Sequence, residues 1–496
     1  MQKASPLPLG AALFFIVFST VSEGWRLHVR AFNPDEFQHV HAGWSVARGH
    51  VPYRDFFEHH HPLTAWALAL PLRNRPVERD FSSARSFLIN TRRVFFALNL
   101  LTLLGAALLA RRLWGRGGVA AAAFLAGAMV FWENGVEIRP DGPGALLALS
   151  AALAQARAGR RREGVWFFLS GLLWGTAFCA SPKAVFPALG AAAHLAIGAW
   201  RASPMDRRPG WRGMALWFAG VGLVPAVTAV VLMAQGALSG FWSYAVAWNL
   251  RYTTRFGPGL VFLRLLRDTP LVVGLGALGF FAAARRALPA SPDTNSFLFW
   301  ILAASLGGLF LNPVPYGQSF LFVLPFWAVA GAGFWTLFED ALTTRLGTWR
   351  AAALLSLIMV VGLGTPLLAR LRPFDRNAAQ WALLETIHDH VPPDAAVLDA
   401  WTGLGVFRPS VDFFPQRNVE MRKMLPPGWD RRLLVDLQKE GAAPRALVGD
   451  REFRALHPDW DRWITENFEP VNGDVVWVRV PTAPRPKTLE NAPARG

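Results

Sequence analysis

The stretch Asn33–Pro62 reads NPDEFQHVHAGWSVARGHVPYRDFFEHHHP and follows the first long apolar run almost at once. It holds four carboxylates (Asp35, Glu36, Asp55, Glu58) and six histidines (His39, His41, His50, His59, His60, His61). Nearly everything else before residue 371 is apolar run and short loop. Acids and imidazoles gathered in the first loop of a membrane protein mark a candidate site, because ionisable groups at a membrane are costly to keep. Which side of the membrane this loop faces decides how it is read.

The 496 residues are 53% hydrophobic and 17% charged, with 22 Trp and 37 Phe, a balance suited to a polytopic membrane protein and not to a soluble enzyme. One cysteine, Cys179, excludes a disulfide framework and a cysteine metal site. The net charge of +16 is uneven: 33 of the 50 Lys and Arg but only 16 of the 34 acids precede Leu371. The basic residues of that part sit in short loops between apolar runs, so they report topology and not a nucleic-acid surface.

Ala4–Ser22 is free of charge and long enough to span. Only Lys3 precedes it and no small-residue cleavage site precedes Glu23, so it reads as an uncleaved helix and not a signal peptide. Further apolar runs lie near 94–110, 118–135, 143–158, 165–180, 184–200, 213–235, 270–284, 296–313, 319–338 and 351–370, giving about eleven spans. The run at 62–72 is too short to cross and is expected to lie in the interface or re-enter. Five Arg-rich loops (111–116, 156–163, 201–212, 284–293, 339–350) fall on one side if the N-terminus is cytoplasmic. Asn33–Pro62, the loops 133–141, 236–269 and 312–318, and the C-terminal part then face outside. The expected division is a transmembrane domain over 1–370, with a first outer loop 23–92, an extracytoplasmic α/β domain over 371–482, and a disordered tail over 483–496. In the second part, 396–401 and 475–480 read as buried strands, and 378–390 and 430–440 as amphipathic helices.

Read locally, Asn33 is a good N-cap, Pro34 suits the first helical position, and Asp35 and Glu36 fill the first turn. Phe37, Val40, Trp44 and Ala47 form one apolar stripe, as in a helix lying in the interface plane, and Gly49 ends it. Asp35 and Glu36 are on this view either caps or site residues. His59, His60 and His61 are either solvated loop residues or metal ligands, and their spacing does not show convergence. Elsewhere on the outer side, Glu137, Arg139 and Asp141 sit at a membrane boundary, either as a helix cap or as a second polar wall. Lys183 lies between two apolar runs, where it either snorkels or binds phosphate. Arg251, Tyr252 and Arg255 occupy the loop before residue 259, and Tyr316 the short loop 312–318.

The acidic pair after the first span, followed by Gly49, Pro52, Tyr53, Asp55, Glu58 and Pro62 in a G-x-x-P-Y-x-D-x-x-E-x-x-x-P pattern, resembles bacterial GT-C glycosyltransferases. The nearest likeness is to the dolichyl-phosphate-mannose–protein mannosyltransferase and lipid A aminoarabinose transferase group. Arg139–Asp141, Lys183 after the fifth span and the Tyr316-then-Pro325 pair fit the same pattern. The resemblance implies transfer of a sugar from a polyprenyl-phosphate donor to a hydroxyl acceptor on the outer face, with inversion. It implies Asp35 as general base with Glu36 beside it, and Asp55, Glu58, Tyr53, Asp141 and Tyr316 as acceptor-positioning or loop-ordering groups. Arg139, Lys183, Arg251 and Arg255 would be the cations for the leaving phosphate. No cofactor is obligatory, although some relatives bind a divalent ion near this loop, which keeps His59, His60 and His61 in view. The expected location is the plasma membrane, with a cytoplasmic N-terminus. A transporter or flippase of an anionic or lipid-linked substrate is the second reading, disfavoured because the acids lie in loops and no inverted repeat is visible. An assembly subunit with a decayed site is the third. The sequence names neither sugar nor acceptor.

Overall fold

The computed structural model describes residues 6–158, 163–200, 211–252, 257–287, 296–312, 316–370, 374–415, 417–439, 443–472 and 475–480. The chain opens with α1 (Pro6–Val29), α2 (Pro34–Ala47), α3 (Leu63–Leu72) and α4 (Phe81–Trp114). Then come α5 (Gly118–Gly127), α6 (Met129–Gly135), α7 (Asp141–Arg157), α8 (Glu163–Ala180), α9 (Val185–Trp200) and α10 (Trp211–Ala234). The later apolar helices are Pro270–Ala287, Ser296–Leu311, Leu324–Leu346 and Thr348–Arg370. Each of the expected apolar runs is therefore helical. By length and composition, however, among the described residues only Pro8–Val29, α4, α8 and α10 each qualify as a membrane crossing. The bent pair Pro258–Asp268 and Pro270–Arg285, at 112°, adds a fifth if taken together. The run 118–135 is broken at Ala128, whose ψ of 109° is extended. The break frees carbonyls of α5, and the Trp132 indole satisfies that of Ala126 at 2.7 Å.

The short helix α2 begins as its sequence dictates. The Asn33 side chain accepts from the Asp35 amide at 3.1 Å, and the Glu36 carboxylate accepts from the Asn33 amide at 2.9 Å, a complete capping box. It does not lie with one face in the interface. Every residue from Glu36 to Ser45 is buried, the polar ones included. The reason is close packing on two sides. Gly43 brings α2 against α3, where a Cβ would run into Leu68. On the other side, Phe37, Val40 and Trp44 enter one apolar core with Phe87 and Phe95 of α4 and with Val397, Phe407, Ala446, Val448, Val476 and Val478.

Those last residues, apart from Phe407, belong to a four-stranded sheet of order β1-β2-β4-β3, with β1 Val397–Asp399, β2 Ala446–Val448, β3 Phe468–Asn472 and β4 Val476–Arg479. β1 and β2 run parallel; the other pairs are antiparallel. The strands alternate as a pleat requires. Ala446, Val448, Val476 and Val478 face α2, while Leu398 and Leu447 face a second core with Leu433, Leu434, Leu437, Trp460 and Ile464. Of the four strands, two were expected from the sequence. The helices expected at 378–390 and 430–440 are Ala378–His390 and Trp429–Leu437. Gln380 fastens this part to the first loop, bonding the Phe32 amide at 2.6 Å and its carbonyl at 2.8 Å. The tail over 483–496 lies outside the described residues.

Candidate active site

Asp35 stands in the first turn of α2 with its side chain 27% exposed, and its Oδ2 is 2.5 Å from Nη1 of Arg139. Arg139 comes from the non-helical link Val136–Pro140 between α6 and α7, and it donates a second bond from Nε to Glu137 at 2.6 Å. Glu137 in turn is 3.3 Å from Arg30. Burial opposes charge on the Arg139 guanidinium, but Asp35, Glu137, Asp141 and Glu36 outweigh it and raise its pKa above the ordinary value. The result is a buried cation with one face toward a reachable carboxylate.

Glu36, the neighbour of Asp35, has a different task. Its carboxylate and the Arg92 guanidinium are both fully buried and make two bonds, 2.6 and 2.9 Å. Burial would raise this carboxyl, but Arg92 overrides it and holds it below the usual range. The Ile138 amide donates to the same carboxylate at 3.1 Å. Arg92 also caps the carbonyls of Leu27, Arg30 and Ala31. Glu36 therefore ties the start of α2 to α4 and to the Arg139 link, and it is closed to substrate.

A second ion pair completes the cationic side. Ser181 leaves α8 in an extended conformation and a 3₁₀ turn over Pro182–Ala184 follows. This sets Lys183 Nζ 3.0 Å from Asp141 Oδ1, which also accepts from Ser181 at 2.9 Å. Asp141 opens α7, where a negative charge suits the helix dipole.

Between these pairs lie the imidazoles. Glu58 is buried and accepts from the amides of His59 and His60, both at 2.8 Å, while His60 Nδ1 is 2.7 Å away. The rings of His39 and His60 are 4.4 Å apart, and those of His59 and His60 are 3.9 Å apart. Burial, then the neighbouring His60, push both His39 and His59 well below the ordinary imidazole value, so both are neutral near pH 7. The charge of Lys183 disfavours the imidazolium form of both rings, and that of Arg139 does so for His39. Ligand atoms of Glu58, His59 and His60 lie within 4.8 Å of one another. His61 is not in this group, because its Nδ1 is 2.7 Å from the Phe178 carbonyl of α8.

The remaining expected residues divide. Tyr53 is buried with φ of 67°, an uncommon conformation for a side-chain-bearing residue, and donates to the His60 carbonyl at 2.6 Å. It shapes the histidine turn. Asp55 accepts from the Val51 amide at 2.7 Å and pairs with Arg54, so it closes a local turn away from Asp35. Tyr316 is half-buried, and burial and the charges of Glu420 and Asp35 raise its phenol, with Arg139 opposing. Arg251 is exposed at the end of Asn249–Arg251, and no contact among the described residues brings it to Asp35. Arg255 lies outside the described residues.

Four contributors were not among the expected site residues. His39, on a helix expected to show only one apolar stripe, faces inward. Arg92 was a readable signal, since an arginine in an apolar helix needs a buried partner. Asn418 and Glu420 had no signal in the sequence. Asn418 reaches the Tyr252 hydroxyl at 3.4 Å, and Met421 is buried against Phe57 and Tyr252. Pro415 and Met421 line a pocket with Gln38, His41, Phe57 and Glu58, and the Phe57 amide donates to the Phe413 carbonyl at 2.6 Å.

A family model described as dolichyl-phosphate-mannose-protein mannosyltransferase matches residues 88–233. It begins after Asn33–Pro62, so the likeness of that stretch rests on its own residues. No curated protein sequence matches. The fold is similar to that of ArnT from Cupriavidus metallidurans in the apo state, at 16% identity and TM-score 0.63, covering 96% of this chain and 99% of that one. The same protein bound to undecaprenyl phosphate matches at 14% identity and TM-score 0.60, with the same coverage. The apo oligosaccharyltransferase of Archaeoglobus fulgidus matches at 12% identity and TM-score 0.54, over 80% of this chain and 64% of that one. This chain thus spans about 64% of that oligosaccharyltransferase's length. It is an integral membrane protein with the fold of the GT-C glycosyltransferases, and over residues 88–233 it resembles their dolichyl-phosphate-mannose-protein mannosyltransferase branch.

Proposed function

We propose that the protein is an inverting glycosyltransferase that moves a sugar from a polyprenyl-phosphate donor to a hydroxyl acceptor on the extracytoplasmic face of the plasma membrane. The observation that carries this reading is the meeting of Asp35, Arg139 and the Lys183–Asp141 pair, brought from three separate links to one place. ArnT of the same fold holds undecaprenyl phosphate, and an archaeal oligosaccharyltransferase holds a dolichol phosphate.

In this reading the acceptor oxygen attacks the anomeric carbon as the bond from that carbon to the phosphate oxygen breaks. The acceptor proton passes to Asp35, which must lie within hydrogen-bond reach of it. The bonding electrons leave on the phosphate, whose charge Lys183 and Arg139 stabilise. Arg139 also fixes the Asp35 rotamer, and Glu36 holds the backbone beneath it. Tyr316 lines the acceptor side. The eleven-span topology with a cytoplasmic N-terminus, and the division at residue 371, belong to the same proposal, because they put Asp35 on the side where lipid-linked sugars are used.

Glu58, His59 and His60 fit a divalent ion: one carboxylate with two imidazoles, His59 neutral, on atoms already gathered. Such an ion would supply positive charge beside the leaving phosphate. The cluster is also satisfied without one, since Glu58 accepts three hydrogen bonds from the two histidines.

The test is a membrane assay with a labelled sugar on polyprenyl phosphate. Label is expected to leave the lipid and enter an acceptor, with polyprenyl phosphate released in equal amount. Movement of the intact donor across the bilayer without cleavage would contradict the reading and favour a flippase.

A further inference from the structure

The helix Pro258–Asp268 (PGLVFLRLLRD) takes no part in the site, and its residues divide sharply into two faces. At about 100° per residue, Val261, Leu265, Phe262, Leu266 and Leu263 form one apolar arc. Arg264, Arg267 and Asp268 fall on the opposite arc with Leu260. Only part of the apolar arc is covered by protein. Val261 and Leu265 are buried in the same core as Val272, Met359 and Leu363. Phe262, Leu263 and Leu266 are exposed, Leu263 by 61%. The helices it packs on show exposed apolar side chains as well, Phe281 on Pro270–Ala287 and Val361 on Thr348–Arg370. The polar arc is open too. Arg267 pairs with Asp268 at 2.8 Å, while the exposed Arg264 has no ion pair or hydrogen bond among the described residues.

The direction of this helix follows from its ends. Pro258 stands at the first helical position, and Thr269, which precedes Pro270, leaves the helical conformation at φ −142° and ψ 55°. There the chain turns by 112° into the helix that begins at Pro270. That second helix has 18 residues, about 27 Å, which on its own is close to the hydrocarbon thickness. With it upright in the bilayer, Pro258–Asp268 runs close to the membrane plane. An amphipathic helix so placed, with arginines on one face and Leu and Phe on the other, has the form of one seated between acyl chains and head groups. We propose that Pro258–Asp268 docks on acidic phospholipid, with Phe262, Leu263 and Leu266 among the acyl chains and Arg264 on the phosphate of an anionic head group. Charge selects the acidic lipid, because Arg264 is the cation left over once Arg267 and Asp268 satisfy each other. This docking holds whether or not the protein transfers sugar.

The test uses the full chain. A nitroxide on Leu263→Cys in nanodiscs reads its surroundings by collision with oxygen and with a water-soluble nickel chelate, and wild type, whose one cysteine, Cys179, is buried, gives the background labelling. The label is expected to meet oxygen far more than the chelate, as an acyl-chain position does. A label as open to the chelate as one free in water overturns the proposal. Native mass spectrometry of the detergent-solubilised protein then reads head-group preference. Wild type is expected to prefer phosphatidylglycerol to phosphatidylcholine, Arg264→Gln to lose about fivefold of that preference, and Arg264→Lys to keep it. Undecaprenyl phosphate is expected to bind wild type and Arg264→Gln alike, since Lys183 and Arg139 are untouched. Equal binding of the two phospholipids by wild type, or an unchanged preference in Arg264→Gln, overturns the proposal. A parallel loss of undecaprenyl phosphate by Arg264→Gln would make Arg264 part of the donor site and overturn it too. So would dipolar broadening between labels, which would put a second copy of the chain on this face. Arg264 is exposed, so its variants are expected to unfold at the wild-type temperature.

Discussion

At the scale of single residues, two adjacent carboxylates do opposite work because their surroundings differ. Asp35 is reachable and paired at one edge, while Glu36 is enclosed with Arg92. Replacing Glu36 by Gln leaves a buried guanidinium without its counter-charge, which costs on the order of 3–5 kcal/mol. Thermal unfolding in detergent is expected to show a large loss of stability for Glu36→Gln, and an unchanged midpoint would remove the structural role. Glu36 also shows what the sequence hid. The capping box was legible in Asn33–Glu36, but the partner of Glu36 lies 56 residues away, beyond any local pattern. Asp399 gives a residue-scale prediction of a different kind. Burial pushes its carboxyl up to about 6, against the Thr402 and Gly405 amides and the Thr402 hydroxyl, which pull it down. The folded state therefore holds this proton more tightly than the unfolded chain, whose value is 3.8. The stabilisation is full below about pH 4 and is lost as pH rises through 6, about 3 kcal/mol in all. Hydrogen exchange at β1 and β2 is expected to slow as pH falls from 6.5 to 4.5 beyond its intrinsic dependence, and Asp399→Asn should abolish that extra slowing.

At the scale of elements, α2 is the part on which the site depends, and its surroundings were the least legible. Its stripe of Phe37, Val40, Trp44 and Ala47 predicted one buried face. The structure buries the polar face as well, because α3 covers one side and the C-terminal sheet another. Gly43 is the contact that allows α3 so close. Gly43→Val is expected to pry the two helices apart at a cost of about 1–3 kcal/mol and to lower any Asp35-dependent activity together with stability. A variant that unfolds earlier yet keeps full activity would show that α2 does not need this packing to present Asp35. The histidine turn is an element of the same sort. The three consecutive histidines read as one group in sequence, yet His61 turns to α8 while His59 and His60 close on Glu58. Backbone direction, set by Tyr53 at positive φ, separates them, and no spacing rule contains that information.

At the scale of the whole molecule, the apolar runs of the sequence were enough to place the helices, because hydrophobicity and length are local properties. What they did not give is how the C-terminal part sits. Its strands at 397–399 and 476–479 were readable from their β-branched and aromatic residues, whereas β3 carries Glu469, Pro470 and Asn472, residue types depleted in strands. The sheet shares a core with α2, and Met421 packs on Phe57 and Tyr252. The site is thus assembled from separate parts of the chain, and only its first-loop and span-end residues could be proposed in advance. Removing the chain from residue 371 onward would expose the α2 core, so loss of folding, and not of one substrate, is the expected result of that deletion.

The central claim is that Asp35 takes the acceptor proton. Its direct test is Asp35→Asn in the full chain, with lipid-phosphate binding and sugar transfer measured on the same preparation. Binding of undecaprenyl phosphate is expected to stay, because the cations that hold it are untouched, while transfer falls by about 10²–10⁴-fold. Transfer at the wild-type rate by a folded, lipid-binding Asp35→Asn protein would contradict the account.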